Sequence, residues 1–281
     1  MQNKPFVLNN QIEIPCVGYG TWQITEPQTV IDSVLYALKQ GYRHIDTAEI
    51  YDNEKYIGEA IRQSGIDRKE IFITSKVWNS NRGYEKTLTA FEQTIKELGV
   101  DYLDLYLIHW PYNDKTSSNP DQDNLDTYRA LEHLYKTGKV RAIGLSNFTL
   151  ERLNYIVTHA EIMPMVNQVE FHPGHNQTEL VEFCQANNIL VEAWSPLGSG
   201  RLLRDLTLTT IAQKYDTSVA QVILSWIYSK NILPLPKSTT KENIVKNINF
   251  FDIVLSEEDT KIIDDMLDVG FSGLNPEEVV F

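Results

Sequence analysis

The chain has only two cysteines in 281 residues, Cys16 and Cys184. Two thiols cannot build a disulfide framework, and no Cys-x-x-Cys spacing offers a zinc site. Both read as small buried thiols of a reducing compartment. Positive charge is also scarce. Lys+Arg is 25 against 38 for Asp+Glu, a formal net charge of −13. A nucleic-acid binder needs a basic stripe to displace counterions, and an anionic membrane surface also attracts basic segments, so neither partner is expected. No apolar run approaches the roughly 18 residues that span a bilayer. The stretch Met1–Pro15 lacks a basic region followed by an apolar core, so no signal peptide is expected and the prior is a soluble cytoplasmic protein. What remains is ordinary for a globular enzyme: 42% hydrophobic and 22% charged residues.

One pattern repeats along the chain. Short β-branched or aromatic runs alternate with longer segments of helical period. The strand candidates are Val17–Thr21, His44–Ala48, Ile71–Val77, Leu103–His109, Val140–Asn147, Met165–Phe171, Leu190–Ser195 and Ile232–Lys237. Helix candidates are Thr29–Gln40, Glu54–Gln63, Gly83–Leu98, Leu125–Thr137, Glu151–His159, Glu179–Asn187 and Thr217–Ser229. Gly41, Gly99 and Gly138 stand where a glycine ends a helix, and Asp216 or Thr217 is placed to cap the last of these helices. Glu257-Glu258-Asp259 after Ser256 suits the N-terminus of a further helix. Phe6–Ile14 alternates around Asn9-Asn10 and reads as a hairpin. The polar segment Asn113–Asn124 reads as a long loop.

Eight such strands with helices between them predict a closed α/β (β/α)8 TIM barrel, spanning 1–281 as a single domain, with the hairpin ahead of it. Strands apolar along most of their length, such as Leu103-Asp104-Leu105-Tyr106-Leu107-Ile108, suit a sheet covered on both faces. The competing architecture is an open doubly wound sheet. Its Gly-x-Gly-x-x-Gly fingerprint is incomplete here, because Gly18-Tyr19-Gly20 runs into Thr21-Trp22-Gln23.

In a barrel, chemistry sits at the C-terminal ends of the strands. There the second strand offers Asp46 with Tyr51 beyond it, the third Lys76, and the fourth His109. This set suits hydride delivery to a carbonyl. The resulting alkoxide needs a proton, and a free phenol with a pKa near 10 is a poor donor at neutral pH. An adjacent ammonium is expected to lower the Tyr51 pKa toward the working range. Asp46 would orient Lys76, and a neutral His109 could donate a hydrogen bond to the carbonyl oxygen.

Seven ordered motifs carry a resemblance. They are His44-Ile45-Asp46-Thr47-Ala48-Glu49-Ile50-Tyr51-Asp52-Asn53-Glu54 with Gly58, Ser75-Lys76-Val77-Trp78, Tyr102 to Pro111, Ile143 to Phe148, Asn167 to Pro173, Trp194-Ser195-Pro196-Leu197-Gly198, and Pro236-Lys237-Ser238. From about residue 5 onward the chain resembles the aldo-keto reductases, within them the bacterial 2,5-diketo-gluconate reductase and prostaglandin F synthase-like group. The resemblance implies NADPH-dependent reduction of aldehydes and ketones, α-keto and diketo compounds included, to alcohols. Tyr51 would be the general acid, Lys76 and Asp46 would tune it, and His109 would orient the carbonyl. Ser146, Asn147 and Gln168 would hold the nicotinamide carboxamide, and Trp194 would stack on its ring. Ser195, Pro196, Leu197 and Gly198 would meet the pyrophosphate. Lys237, Ser238 and Thr239 would meet the adenosine 2′-phosphate, and Asn247 the adenine. Thr21, Trp22 and Asp46 also fall on cofactor positions. Trp22, Trp78 and Trp110 would wall an apolar pocket beside Tyr51 and His109, left open by a short tail from Asp268 to Phe281.

One departure from the family matters most. Asn243 stands where relatives carry an arginine on the adenosine phosphate, and Asn cannot supply that charged fork. NADPH is therefore expected with a weakened preference over NADH, and NADH is the alternative cofactor. No heptad or long apolar stripe demands a partner subunit, so a monomer acting on a small carbonyl compound is expected.

Two other functions compete. A metal-dependent hydrolase or isomerase would need His44, Asp46, His109, Glu170 and His172 to converge on one ion. The His-x-His pair is missing, and a central lysine would repel the metal. A non-catalytic nucleotide sensor on the same barrel would be distinguished by absence of turnover. Outside the set of four, His44 reads as a buried hydrogen-bonded histidine, and His172 and His175 as loop structure.

Overall fold

The computed structural model describes residues 4–111, 117, 119–267 and 269–279. Strands β1 (Phe6–Val7) and β2 (Glu13–Ile14) pair antiparallel, Phe6 opposite Ile14, as the hairpin reading expects. A parallel sheet follows: β3 (Tyr19–Gly20), β4 (His44–Asp46), β5 (Phe72–Val77), β6 (Leu103–Ile108), β7 (Val140–Ser146), β8 (Val166–Glu170), β9 (Leu190–Trp194) and β10 (Leu233–Pro234). Each strand pairs in parallel with the next in sequence order. Between the first and last, Gly18 N donates to Pro234 O and Gly20 N to Pro236 O, both at 3.1 Å. Those two bonds close the sheet into the barrel.

The helices are α1 (Pro27–Lys39), α2 (Glu54–Ser64), α3 (Tyr84–Leu98), α4 (Pro120–Lys136), α5 (Leu150–His159), α6 (Thr178–Ala186), α7 (Leu206–Lys214), α8 (Val219–Ser229), α9 (Lys241–Ile248) and α10 (Glu257–Asp264). The eight sheet strands lie on the expected runs, trimmed at their ends. Strands β5 and β6 are buried along their whole length, as parallel strands sheathed by helices must be.

Three local expectations change. The loop expected over Asn113–Asn124 is shorter, because α4 begins at Pro120. Asn119 caps it by accepting from Gln122 N, and Pro120 suits a first turn that needs no donor. Residues 112–116 and 118 of that segment lie outside the described residues, as do residues 268, 280 and 281 of the tail. Helix α8 is capped by Ser218, not by Asp216 or Thr217. Ser218 and Gln221 form a reciprocal capping box, while Asp216 sits in the left-handed region. Helices α7 and α9 were not expected as elements. Ser256 caps α10 as read.

Gly58 of the first motif has a packing reason. A Cβ there would stand 2.0 Å from Leu98 O, so the glycine lets α2 press against the end of α3. This seats the segment that carries Tyr51. Cys16 and Cys184 are free and buried.

Candidate active site

Strand alternation builds the centre. His44 and Asp46 on β4 share one face, and Lys76 lies on the register-matched face of β5. Lys76 is fully buried, with Nζ 2.7 Å from Asp46 Oδ1 and 2.9 Å from Thr47 O. Its Nζ stands 5.2 Å from the centre of the Tyr51 ring. Tyr51 comes from the short 3-10 turn Glu49–Tyr51 that follows β4. Asn53 ties down that segment: it accepts from Thr47 Oγ1 at 2.8 Å and donates to Thr21 O and Ile24 O. His109 follows β6 and meets Tyr51 edge-on, ring centres 5.6 Å apart. Asp46, Tyr51, Lys76 and His109 are thus brought together as the strand ends predict.

Their electrostatics correct one expectation. Burial pushes the Tyr51 phenol upward, against the nearby Lys76 ammonium and its hydrogen bond, and the net direction is up rather than down. Desolvation outweighs the cation, so the phenol keeps its proton through neutral pH. Burial pulls the Lys76 ammonium down, yet Asp46 and Tyr51 overcome it and the net shift is upward. Burial, then the charges of Lys76 and Arg82, hold the His109 imidazole well below its usual range, so it is neutral. Its Nδ1 is buried without a hydrogen-bond partner.

A second network adjoins the first. Gln168 on β8 donates through Nε2 to Asp46 Oδ2 at 2.9 Å and to Glu192 Oε2 at 2.7 Å. Two carboxyl acceptors fix the amide's orientation, NH2 inward, which leaves Oε1 as the atom to offer elsewhere. Asn147 donates to His109 O and Ser146 Oγ and accepts from Trp194 Nε1 at 2.7 Å. Ser146 Oγ donates to Gln168 O. The Trp194 ring is thereby held in place, 6.4 Å from that of Trp110. Trp78 meets His109 edge-on at 5.1 Å. Trp22 is exposed and makes no ring contact with this group among the described residues.

Beyond β9, Ser195 and the consecutive Gly198, Ser199 and Gly200 have positive φ. Pro196 is buried and Leu197 half-buried. Lys237, Thr239 and Asn243 are exposed, Ser238 is half-buried and Asn247 buried. They cluster where β10 leads into α9. The cap residue Thr240 gives α9 no side-chain bond, so its first-turn N–H groups are not capped from within. Thr21 spends both its N–H and its hydroxyl on Asp46 O.

Sequence reasoning missed Glu192, Glu49 and Arg82. Glu192 lies two residues before Trp194, inside the barrel at zero exposure, and burial raises its carboxyl to about 8. An acid at an inward position of an apolar strand was the available signal. Glu49 and Arg82 stood inside or beside motifs without a stated role.

His44 is the buried histidine expected, with Nε2 2.9 Å from Thr74 Oγ1. His172 serves loop structure, bonded to Pro173 O and Glu170. Among the described residues no three His, Cys, Asp or Glu side chains are grouped to hold a metal ion. Asp46 is committed to Lys76, and His172 to its own loop. No described helix is long and apolar enough to cross a membrane.

Residues 16–268 match the aldo/keto reductase family. The glyoxal reductase of Bacillus subtilis is 49% identical over 274 residues, covering 98% of this chain and 96% of the relative. Among solved structures, the aldo/keto reductase of Brucella melitensis superposes with a TM-score of 0.87 at 44% identity, over 93% of this chain and 98% of that one. An aldo-keto reductase of the silkworm Bombyx mori, complexed with NADPH, superposes at 0.89 with 33% identity, over 96% of this chain and 89% of that one.

Proposed function

The chain belongs to the aldo/keto reductase family, and on that premise we propose that it reduces aldehydes and ketones to alcohols with NADPH, Tyr51 acting as general acid. The observation that carries the reading is the Tyr51 phenol set against His109 and above a fully buried Lys76–Asp46 pair.

The residues fit such a cofactor. Gln168 has both amide hydrogens committed inward, so its Oε1 faces a donor such as a carboxamide NH2. Asn147 and Ser146 would complete that contact, and Trp194 would lie against the ring. The backbone N–H groups around Ser195 and Gly198–Gly200, where φ is positive, suit a pyrophosphate. Lys237, Ser238, Thr239 and the start of α9 suit a phosphate, with Asn247 beside the adenine. When bound, NADPH supplies the hydride for the carbonyl carbon.

The chain's own groups do the rest. His109, held neutral by burial and by the charges of Lys76 and Arg82, orients the carbonyl oxygen. Tyr51 gives its proton to that oxygen as negative charge develops. Lys76 stabilises the phenolate left behind, and Asp46 keeps the ammonium in place. Trp78, edge-on to His109, and Trp110, edge-on to Trp194, would keep water from the reacting atoms. The substrate class we propose includes α-dicarbonyl compounds, supported by the likeness to a glyoxal reductase.

The test follows NADPH oxidation by absorbance with a panel of aldehydes and dicarbonyls, each repeated with NADH. Turnover with NADPH is expected. Quenching of tryptophan fluorescence by NADPH without turnover would favour a nucleotide sensor and overturn the reading.

A further inference from the structure

Between β5 and α3 lies a short turn, Trp78 to Gly83, that touches three neighbouring loops. On one side is Glu49, two residues before Tyr51. Its Oε2 accepts from Trp78 N at 2.9 Å, and its Oε1 accepts from the Asn81 side chain. On the other side Arg82 Nη2 donates to Trp110 O at 2.5 Å, Pro111 O at 3.0 Å and Asn79 Oδ1 at 2.7 Å. Two other ties of the turn, Thr87 Oγ1 to Asn81 O and Gly83 N to Thr127 Oγ1, run outward to α3 and α4. The hydrogen bonds of Glu49 and Arg82 connect the turn to the loops that bear Tyr51 and Trp110, and the Trp78 ring of the turn meets His109.

We propose that Glu49 and Arg82 form a specificity clamp: from opposite sides they fix the Trp78 turn between the Tyr51 loop and the Trp110–Pro111 segment. The clamp sets the gap beside His109 into which a carbonyl compound's substituents must fit. The proposal rests on the reductase reading above.

The chemistry of the two residues suits this role. A carboxylate accepts two donors at once, here a backbone N–H and a side-chain amide. Arg82 aims one terminal nitrogen, Nη2, at two consecutive backbone carbonyls, which fixes the course of that segment rather than one side chain. Backbone anchoring transmits to the rings: Trp78 packs edge-on against His109, and Trp110 follows His109 directly. Arg82 also adds positive potential at His109, which helps keep the imidazole neutral. Both are positioning residues, since neither is placed to touch the reacting atoms.

The experiment compares kcat/KM for a small aldehyde and a bulky ketone in the unaltered enzyme, Arg82→Met, Glu49→Ala and the double variant. Amide hydrogen exchange over residues 78–83 and NADPH affinity by tryptophan quenching are measured in parallel. A rigid gap discriminates by size, so releasing either side is expected to lower the small-to-bulky ratio by about tenfold. Exchange over the turn is expected to rise, and NADPH affinity to stay. Because both residues hold one turn, the double variant is expected to lose less than the product of the singles. Glu49→Gln keeps an acceptor for Trp78 N and is expected to restore most of the ratio. Should Arg82→Met not fold, Arg82→Lys keeps the charge without the planar fork, and a smaller fall is expected. Faster exchange with an unchanged ratio, or an equal fall for both substrates, would overturn the clamp while leaving the reductase reading intact. Unchanged exchange would also overturn it. No turnover of either substrate by the unaltered enzyme would overturn both.

Discussion

Gln168 donates to Asp46 Oδ2 at 2.9 Å while Lys76 holds Asp46 Oδ1 at 2.7 Å. One carboxylate therefore joins two parts of the site. Its lysine side underlies the phenol proposed to give the proton, and its glutamine side reaches the residues proposed to hold a carboxamide. The orientation of the acid and the orientation of Gln168 are set by the same buried group, with Glu192 as the second anchor of the amide.

Gln168→Leu is expected to damage both parts. It strips a donor from Asp46 and from Glu192, each nearly or fully buried. Leaving buried acceptors unpaired costs about 1–3 kcal/mol each. Urea denaturation is expected to show lower stability, and fluorescence titration weaker NADPH binding. If binding weakened with stability unchanged, Gln168 would matter only to the cofactor and the shared anchoring would be wrong.

Tyr51→Phe is expected to lower kcat by about 10²- to 10⁴-fold, the usual worth of a positioned general acid. The substitution keeps the ring that packs against His109 and removes only the hydroxyl. Affinity for NADPH, followed by tryptophan quenching, is expected to stay near that of the unaltered chain. Near-full turnover in the variant would show that another group gives the proton.

Asn243→Arg probes the departure from the family pattern. Asn243 is exposed on α9, two residues past its start. An arginine there could make a charge-assisted contact with a 2′-phosphate, worth about 1.5–3 kcal/mol. The KM for NADPH is expected to fall by roughly tenfold or more, with that for NADH little changed. Equal gains for both would place the adenosine site elsewhere.

The barrel was legible because each strand of a parallel sheet must be a short apolar run, and eight such runs stand out. The clustering of Asp46, Tyr51, Lys76 and His109 was legible for a related reason: a barrel brings its strand ends to one rim, and Asp46, Lys76 and His109 are polar residues at three of those ends. What stayed hidden depends on tertiary contacts that no period reveals. Helix α7, Leu206–Lys214, is rich in β-branched threonines whose helix propensity is low. Helix α9 is eight residues long, and its polar letters were absorbed into a cofactor motif. The start of α4 lay inside a polar stretch that reads as loop until Asn119 is seen to cap it. The direction of the Tyr51 shift was hidden too. A sequence places the lysine beside the phenol but does not measure how much water the fold removes from both.

His44 gives a prediction about acid stability. It is fully buried inside β4, with Nε2 on Thr74 and Nδ1 unpartnered. Burial, then the charge of Lys76, lowers its pKa to about 3. An unfolded histidine titrates near 6.5. Between these values the unfolded chain binds the proton and the folded chain does not. Stability therefore rises with pH across this window. The contribution of a neutral buried His44 is complete above about 6.5 and is lost as pH falls toward 3, at ~1.4 kcal/mol per unit. His109 is also held low by burial, so part of the slope is common to both. His44→Gln removes one titrating group and leaves a polar side chain to meet Thr74. Urea midpoints measured from pH 7 to pH 4 are expected to fall less steeply in the variant than in the unaltered chain. Parallel slopes would mean that His44 takes up its proton without unfolding, and that the barrel interior admits water beside Gly18, which packs against its ring.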